Sequence, residues 1–236
     1  MLLLIIFILF IILILIIISI INIKKYNKNS ELITLNSFDN IKNKRILDPL
    51  LFNSNLEFNK NILDENIINN YPENYYEINN KLIRLEDFSK DNNVNIENNK
   101  KLIIDFKLEE YCFKLYKLFS SYLSCNLNYD GSLLQKSNLE IKQNNNNMLL
   151  INNIFGKCNI LLINPKHKEY IKTNKNKLNK LKKISIIVDL KENNSLYIPT
   201  NWYYIIEIIN LTFILNITSD NYLTYLYNKY KKNINI

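Results

Sequence analysis

The chain has 236 residues, a mass of 28.2 kDa and a formal charge of +8, and asparagine (44) and isoleucine (41) alone supply 85 of its positions. Alanine is absent, glycine occurs twice and proline four times, which excludes collagen-like sequence and phosphate-cradling glycine loops. With 47% hydrophobic and 12% aromatic residues the chain can bury a core, so disorder is excluded for most of its length. The abundant residues share AT-rich codons and the scarce ones GC-rich codons, so the skew reads as genomic bias, not as a low-complexity tract.

Residues Leu2 to Ile23 contain only Ser19 and Asn22 as polar members. As a helix, these residues would be about 33 Å long, enough to cross a hydrocarbon core of about 30 Å. No Lys or Arg precedes the run, and an A-x-A-like cleavage site cannot exist without alanine. The expectation is therefore a transmembrane helix over 2–23 that stays in place as an anchor, not a removable leader. Lys24, Lys25 and Lys28 follow the run directly, and the positive-inside rule predicts a single-pass protein with its C-terminal domain in the cytoplasm. The three cysteines, Cys112, Cys125 and Cys158, are odd in number, which argues against a disulfide framework.

Residues 24–46 are polar and of mixed charge and read as a juxtamembrane stalk, with one domain over 47–236. Apolar residues recur at helical spacing over 62–70 and 106–123. In the second stretch Phe106, Phe113, Tyr116 and Leu123 can share one stripe. Farther on, Met148–Phe155, Cys158–Asn164, Ile184–Leu190, Ser195–Ile198, Trp202–Ile209 and Leu211–Ile217 are short, rich in Ile, Leu and aromatics, and separated by turn-formers. That spacing predicts an antiparallel sandwich or barrel. Ser219 or Asp220 could cap a last helix with Tyr222, Tyr225, Leu226 and Tyr230 on one face. The predicted fold class is α+β, mainly β.

Charge is concentrated. Lys166, Lys168, Lys172, Lys175, Lys177, Lys180, Lys182 and Lys183 share their segment with a single acid, Glu169, so it carries +7 of the net +8. A solvated connection between strands explains such a run. As a binding surface it fits the anionic leaflet that an anchored domain faces. Nucleic acid is the poorer partner, because Tyr170 is the only aromatic there.

Pro199 stops a strand, Thr200-Asn201 suit a tight turn in which Asn accepts positive φ, and Trp202 opens a return strand. Period-two alternation then sets Trp202, Tyr204, Ile206 and Ile208 on one face and Tyr203, Ile205, Glu207 and Ile209 on the other.

The run Ser195 to Tyr204 (SLYIPTNWYY) resembles the strand-turn-strand of the JmjC and cupin-like family, and Gly156 to Pro165 (GKCNILLINP) resembles that family's glycine-lysine strand. Asp48-Pro49-Leu50-Leu51 and Ile83 to Phe88 (IRLEDF) are similar to its opening segments. The resemblance covers roughly Leu47 to the C-terminus. With the AT bias and the apolar run, the chain resembles membrane-anchored cupin-like proteins of large DNA viruses. The resemblance implies a double-stranded β-helix barrel with flanking helices. In enzymes of the family two histidines and a carboxylate hold Fe(II) beside 2-oxoglutarate. Setting Gly156 on the family glycine puts the His-x-Asp positions on Gln143 and Asn145, the second histidine on Tyr204 and the co-substrate lysine on Cys158. All four are substituted, and His167 is the chain's one histidine. Amides and a neutral phenol are poor ligands for iron, and a thiol offers a carboxylate no charge.

The reading is a cupin-like domain for binding or scaffolding, with no catalytic, metal-binding or cofactor-binding residue predicted and no cofactor. Two alternatives stand beside it. One is an Fe(II)/2-oxoglutarate oxygenase, hydroxylase-like or demethylase-like, with displaced ligands such as His167, Asp130 or Glu140. The other is a structural membrane protein with an unrelated β-rich domain.

Overall fold

A computed structural model describes residues 2–24, 26–35, 47–53, 67–78, 81–90, 94–119, 124–175, 177–221 and 224–225. It opens with helix α1 (Leu2–Lys24) and edge strand β1 (Ile33–Leu35), followed by β2 (Leu50–Asn53). Then come α2 (Ile67–Asn70), β3 (Tyr75–Ile78), β4 (Lys81–Arg84), α3 (Leu85–Lys90), β5 (Ile96–Asn99), α4 (Lys100–Asp105) and α5 (Glu109–Phe119). The C-terminal half contains β6 (Ser124–Leu134), β7 (Lys142–Gln143), β8 (Met148–Phe155), β9 (Cys158–Ile163), α6 (Lys168–Asn174), α7 (Leu178–Lys182), β10 (Ser185–Leu190), β11 (Asn194–Ile198), β12 (Tyr203–Ile208) and β13 (Thr212–Asn221).

The chain is α+β and mainly strand. A seven-stranded sheet runs β1-β2-β11-β8-β13-β6-β5, and a four-stranded sheet runs β10-β9-β12-β7. From β6 to β13 the chain passes back and forth between them, with β9 and β10 the one consecutive pair in the same sheet, so that β11-β8-β13-β6 faces β10-β9-β12-β7. All pairings in the two sheets are antiparallel except β1 on β2.

The packing has three apolar layers. Between the sheets lie Leu149, Ile151, Ile160, Leu162, Leu196, Ile198, Trp202 and Ile214. Outside the large sheet, Leu150, Ile154, Phe213, Leu215 and Ile217 meet Phe88, Leu102, Ile103, Phe106, Cys112 and Leu115 of the helical region. Outside the small sheet, Leu161, Ile163 and Ile205 are covered by Ile171 and Leu181 of α6 and α7. Every side chain of β8 is buried because both its faces are covered, which is why it reads as an apolar run without alternation.

The six predicted C-terminal strands agree with β8–β13 to within a few residues. Asn201 has φ 69°, and Trp202, Tyr204, Ile206 and Ile208 face the space between the sheets while Tyr203 and Ile205 face α6 and α7. Four expectations are revised. Residues 106–123 are not one helix: Lys107 adopts φ 54°, breaking the chain between Phe106 and α5. The buried face of α5 is therefore Tyr111, Cys112 and Leu115, and Phe113 is exposed, lying under the Lys117 ammonium at 4.5 Å. Ser219 and Asp220 extend β13 instead of capping a helix, since their backbone completes the ladders to Met148 and Cys125. The lysine-rich connection forms α6 and α7. Residues 33–35 of the expected stalk form the large sheet's edge strand, with Ile33 opposite Leu50. Leu123, Tyr222, Leu226 and Tyr230 lie outside the described residues, as do residues 36–46 and 62–66.

Helix α1 has 23 residues, about 35 Å at 1.5 Å rise. Its described side chains, Leu3 to Ile14 and Ile17, are all exposed. Among the described residues no helix is long and apolar enough to cross a membrane.

Candidate functional site

Between the sheets the inward faces of β6, β12 and β13 do not close completely. Period-two alternation brings Asp130, Ser132 and Leu134 from β6, Tyr204, Ile206 and Ile208 from β12, and Ile214, Asn216 and Thr218 from β13 around a cavity of about 180 Å³. Its apolar side is Leu134, Leu149, Ile206, Ile208 and Ile214. Its polar side is built from Glu97, Asp130, Asn138, Glu140, Lys142, Tyr204 and Asn216.

Two pairings organise that wall. Asn216 stands opposite Asp130 on the β6–β13 ladder, and its Nδ2 donates to Asp130 Oδ1 at 2.9 Å. Lys142 Nζ donates to Glu97 Oε2 at 3.1 Å, and Asn138 Nδ2 donates to Oε1 of the same carboxylate at 3.3 Å. Burial raises the Asp130 carboxyl, and the Asn216 hydrogen bond and the Lys142 charge oppose the rise without cancelling it. Burial also pushes Glu97 upward, but the Lys142 ammonium and its hydrogen bond outweigh this and hold Glu97 below the usual carboxylate range. The Tyr204 phenol is pushed up to about 12, first by burial and then by the charges of Asp130, Glu140 and Glu97. Its hydroxyl therefore stays protonated and can donate. The cavity thus sets three carboxylates against one ammonium in a chain whose net charge is +8.

Of the four positions singled out by the resemblance, Tyr204 is in the cavity wall and Gln143 at its rim. Gln143 lies opposite Tyr203, and its Nε2 donates to the Asn201 carbonyl at 3.2 Å, closing the turn before β12. Asn145 lies beyond β7, has a polar interaction of its own and does not line the cavity. Cys158 sits at the other end of the small sheet, between Ile208 and Leu190, fully buried in the core between the sheets. Its thiol is pushed up to about 12, first by burial and then by Asp189, so it does not ionise at neutral pH.

His167 closes a 3-10 turn after β9 and is not among the cavity residues. Asp130 and Glu140 do line it, so the displaced-ligand alternative keeps its carboxylates and loses its imidazole. Among the described residues no three His, Cys, Asp or Glu side chains come together as a metal-holding group. The donors around Tyr204 do not fit the family's two-histidine iron centre.

Sequence reasoning missed Lys142, Glu97 and Asn216. Lys142 is one residue from Gln143, and a single step along a strand moves a side chain to the other face. The inward alternation of Asp130-x-Ser132 and Ile214-x-Asn216 was a usable signal, but that the two strands pair is a long-range fact. No protein-family model matches the chain, and no curated protein shows significant similarity to it.

Proposed function

We propose that this protein is a single-pass, membrane-anchored cupin-like domain that binds a small polar ligand or a partner's polar side chain in its barrel and has no oxygenase activity. The observation that carries this reading is the wall around Tyr204. A lysine paired with Glu97, an amide-bonded Asp130 and a protonated phenol stand there, and the chain's one histidine lies outside. Such a wall can donate and accept hydrogen bonds to a polar group and offers an aliphatic floor to its carbon skeleton.

The barrel assignment is supported by strand order: the eight strands β6 to β13 divide four and four between two facing sheets with antiparallel pairing, as in jelly-roll and cupin barrels. The anchor is supported by the composition of α1, in which Ser19, Asn22 and Lys24 are the polar residues of 23. The lysines after it favour a cytoplasmic domain. Fold alone does not assign activity, so the test is chemical. Full-length chain purified in detergent is loaded with Fe(II) and 2-oxoglutarate, then assayed by metal analysis and calorimetry. The expected result is no metal above the level of a Tyr204→Ala control. Stoichiometric iron with co-substrate binding would overturn the reading.

A further inference from the structure

The chain leaving α1 is not a free tether. Asn164 Nδ2 donates to the Asn27 carbonyl at 2.7 Å, and Lys166 Nζ donates to the Lys28 carbonyl at 2.7 Å. The Asn27 side chain donates in turn to Asp48 at 3.0 Å, and β1 then joins the large sheet. Asn164 and Lys166 open the 3-10 turn that leads into α6. Lys28 is four residues past Lys24, the last residue of α1, and four extended residues span at most about 14 Å. The start of the lysine-rich segment is thereby tied to a point within about that reach of the helix end.

The lysines themselves divide into two groups. Lys172 and Lys182 are paired with Glu169 and Glu207 at 2.9 and 2.7 Å, and Lys166 is used in the clamp. Lys168, Lys175, Lys177, Lys180 and Lys183 are exposed and form no ion pair among the described residues. Ile171 and Leu181 are buried against the small sheet, while these five lysines, on the two helices and at their ends, stay in solvent. Tyr170 is exposed among them, an aromatic of the kind that settles at headgroup level.

We infer that the outer face of α6 and α7 is a lipid-docking surface, and that the Asn27–Asn164 and Lys28–Lys166 bonds hold it against anionic headgroups of the bilayer that α1 enters. This rests on the anchor reading. The domain lies on the membrane in one orientation instead of swinging on a stalk.

The test uses full-length chain reconstituted into nanodiscs of phosphatidylcholine alone or with a fifth phosphatidylserine, pulse-labelled with an amine-reactive reagent and read lysine by lysine by mass spectrometry. With anionic lipid, Lys168, Lys175, Lys177, Lys180 and Lys183 should label more slowly by about threefold or more, with little change at Lys81 and Lys114, and the protection should fade in high salt. The double variant Asn27→Ala/Asn164→Ala, which keeps every lysine, should lose most of the protection while retaining the fold by circular dichroism. Equal labelling in the two kinds of disc overturns the inference while leaving the anchor intact, as does protection by added RNA but not by lipid. A chain that elutes apart from the discs overturns the anchor and the inference together.

Discussion

Asn216 and Asp130 face each other across the β13–β6 ladder, joined by a 2.9 Å hydrogen bond in the wall of the cavity between the sheets. That bond helps to hold the Asp130 carboxylate in the polar side of the wall, across from the Ile and Leu side chains of the apolar side. It does not fully offset the burial, because the Asp130 carboxyl stays above its ordinary value.

A raised carboxyl favours the protonated form in the folded state, so its stabilising share is present at acid pH and is lost as pH rises past the ordinary value of about 3.9. Asp130→Asn keeps an oxygen for Asn216 and removes the charge. The variant should melt higher than the parent above about pH 5, with the difference closing on acidification. A variant that is less stable at neutral pH would mean that Asp130 is held by a stronger cationic partner than Lys142.

The Glu97–Lys142 pair behaves in the opposite sense. Glu97 lies below its usual range, so its contribution is present above the ordinary value of about 4.3 and lost as pH falls through the lowered one. Lys142→Met retains the aliphatic stem and removes the ammonium. It should cost about 1–2 kcal/mol at neutral pH, read by denaturant melting, because a half-buried carboxylate loses its charged donor. The two proteins should converge only once the pH has fallen below the lowered Glu97 value.

Gly156 has φ +87°, and a Cβ there would sit 2.1 Å from the Leu211 carbonyl oxygen. Its amide donates to Glu192 and its carbonyl accepts from Asn153, so the turn between β8 and β9 has little room to shift. Gly156→Ala should cost about 3 kcal/mol or more, measured as a lower midpoint of thermal unfolding. A loss under about 0.5 kcal/mol would show that the β8–β9 turn can rearrange.

Trp202 is fully buried between the sheets, and its Nε1 has no hydrogen-bond partner among the described residues. Its contribution is therefore mostly packing. Trp202→Phe should cost about 1–2 kcal/mol, and Trp202→Ala about 3–5 kcal/mol. Near-equal losses for the two would mean that the indole N–H matters after all.

Local chemistry was enough to predict the strands from Met148 onward, because each is a short run rich in Ile, Leu and aromatics with turn-forming residues close behind it. The Pro199–Trp202 turn and the two faces of the return strand were legible for the same reason: they depend on two or three adjacent residues. The α5 face was misjudged because one residue, Lys107, takes a left-handed conformation that composition does not announce. The long β6 was not anticipated, since Ser124 to Leu134 mixes Asn, Asp, Gly and Ser with few apolar residues, and its pairing with β13 overrides that weak propensity.

From the residues alone came the apolar helix, the mainly-β class, the concentration of lysines and the lack of a second histidine. Those depend on which side chains exist and on periods of two and 3.6 along the chain. Only the folded chain decided that Asp130 meets Asn216 and that Lys142 meets Glu97. It also left Cys158 out of the cavity lining and tied Asn27 to Asn164 across 137 positions. Those contacts follow from strand order and register, which are settled by burying whole sheet faces at once and leave no mark on any short stretch of sequence.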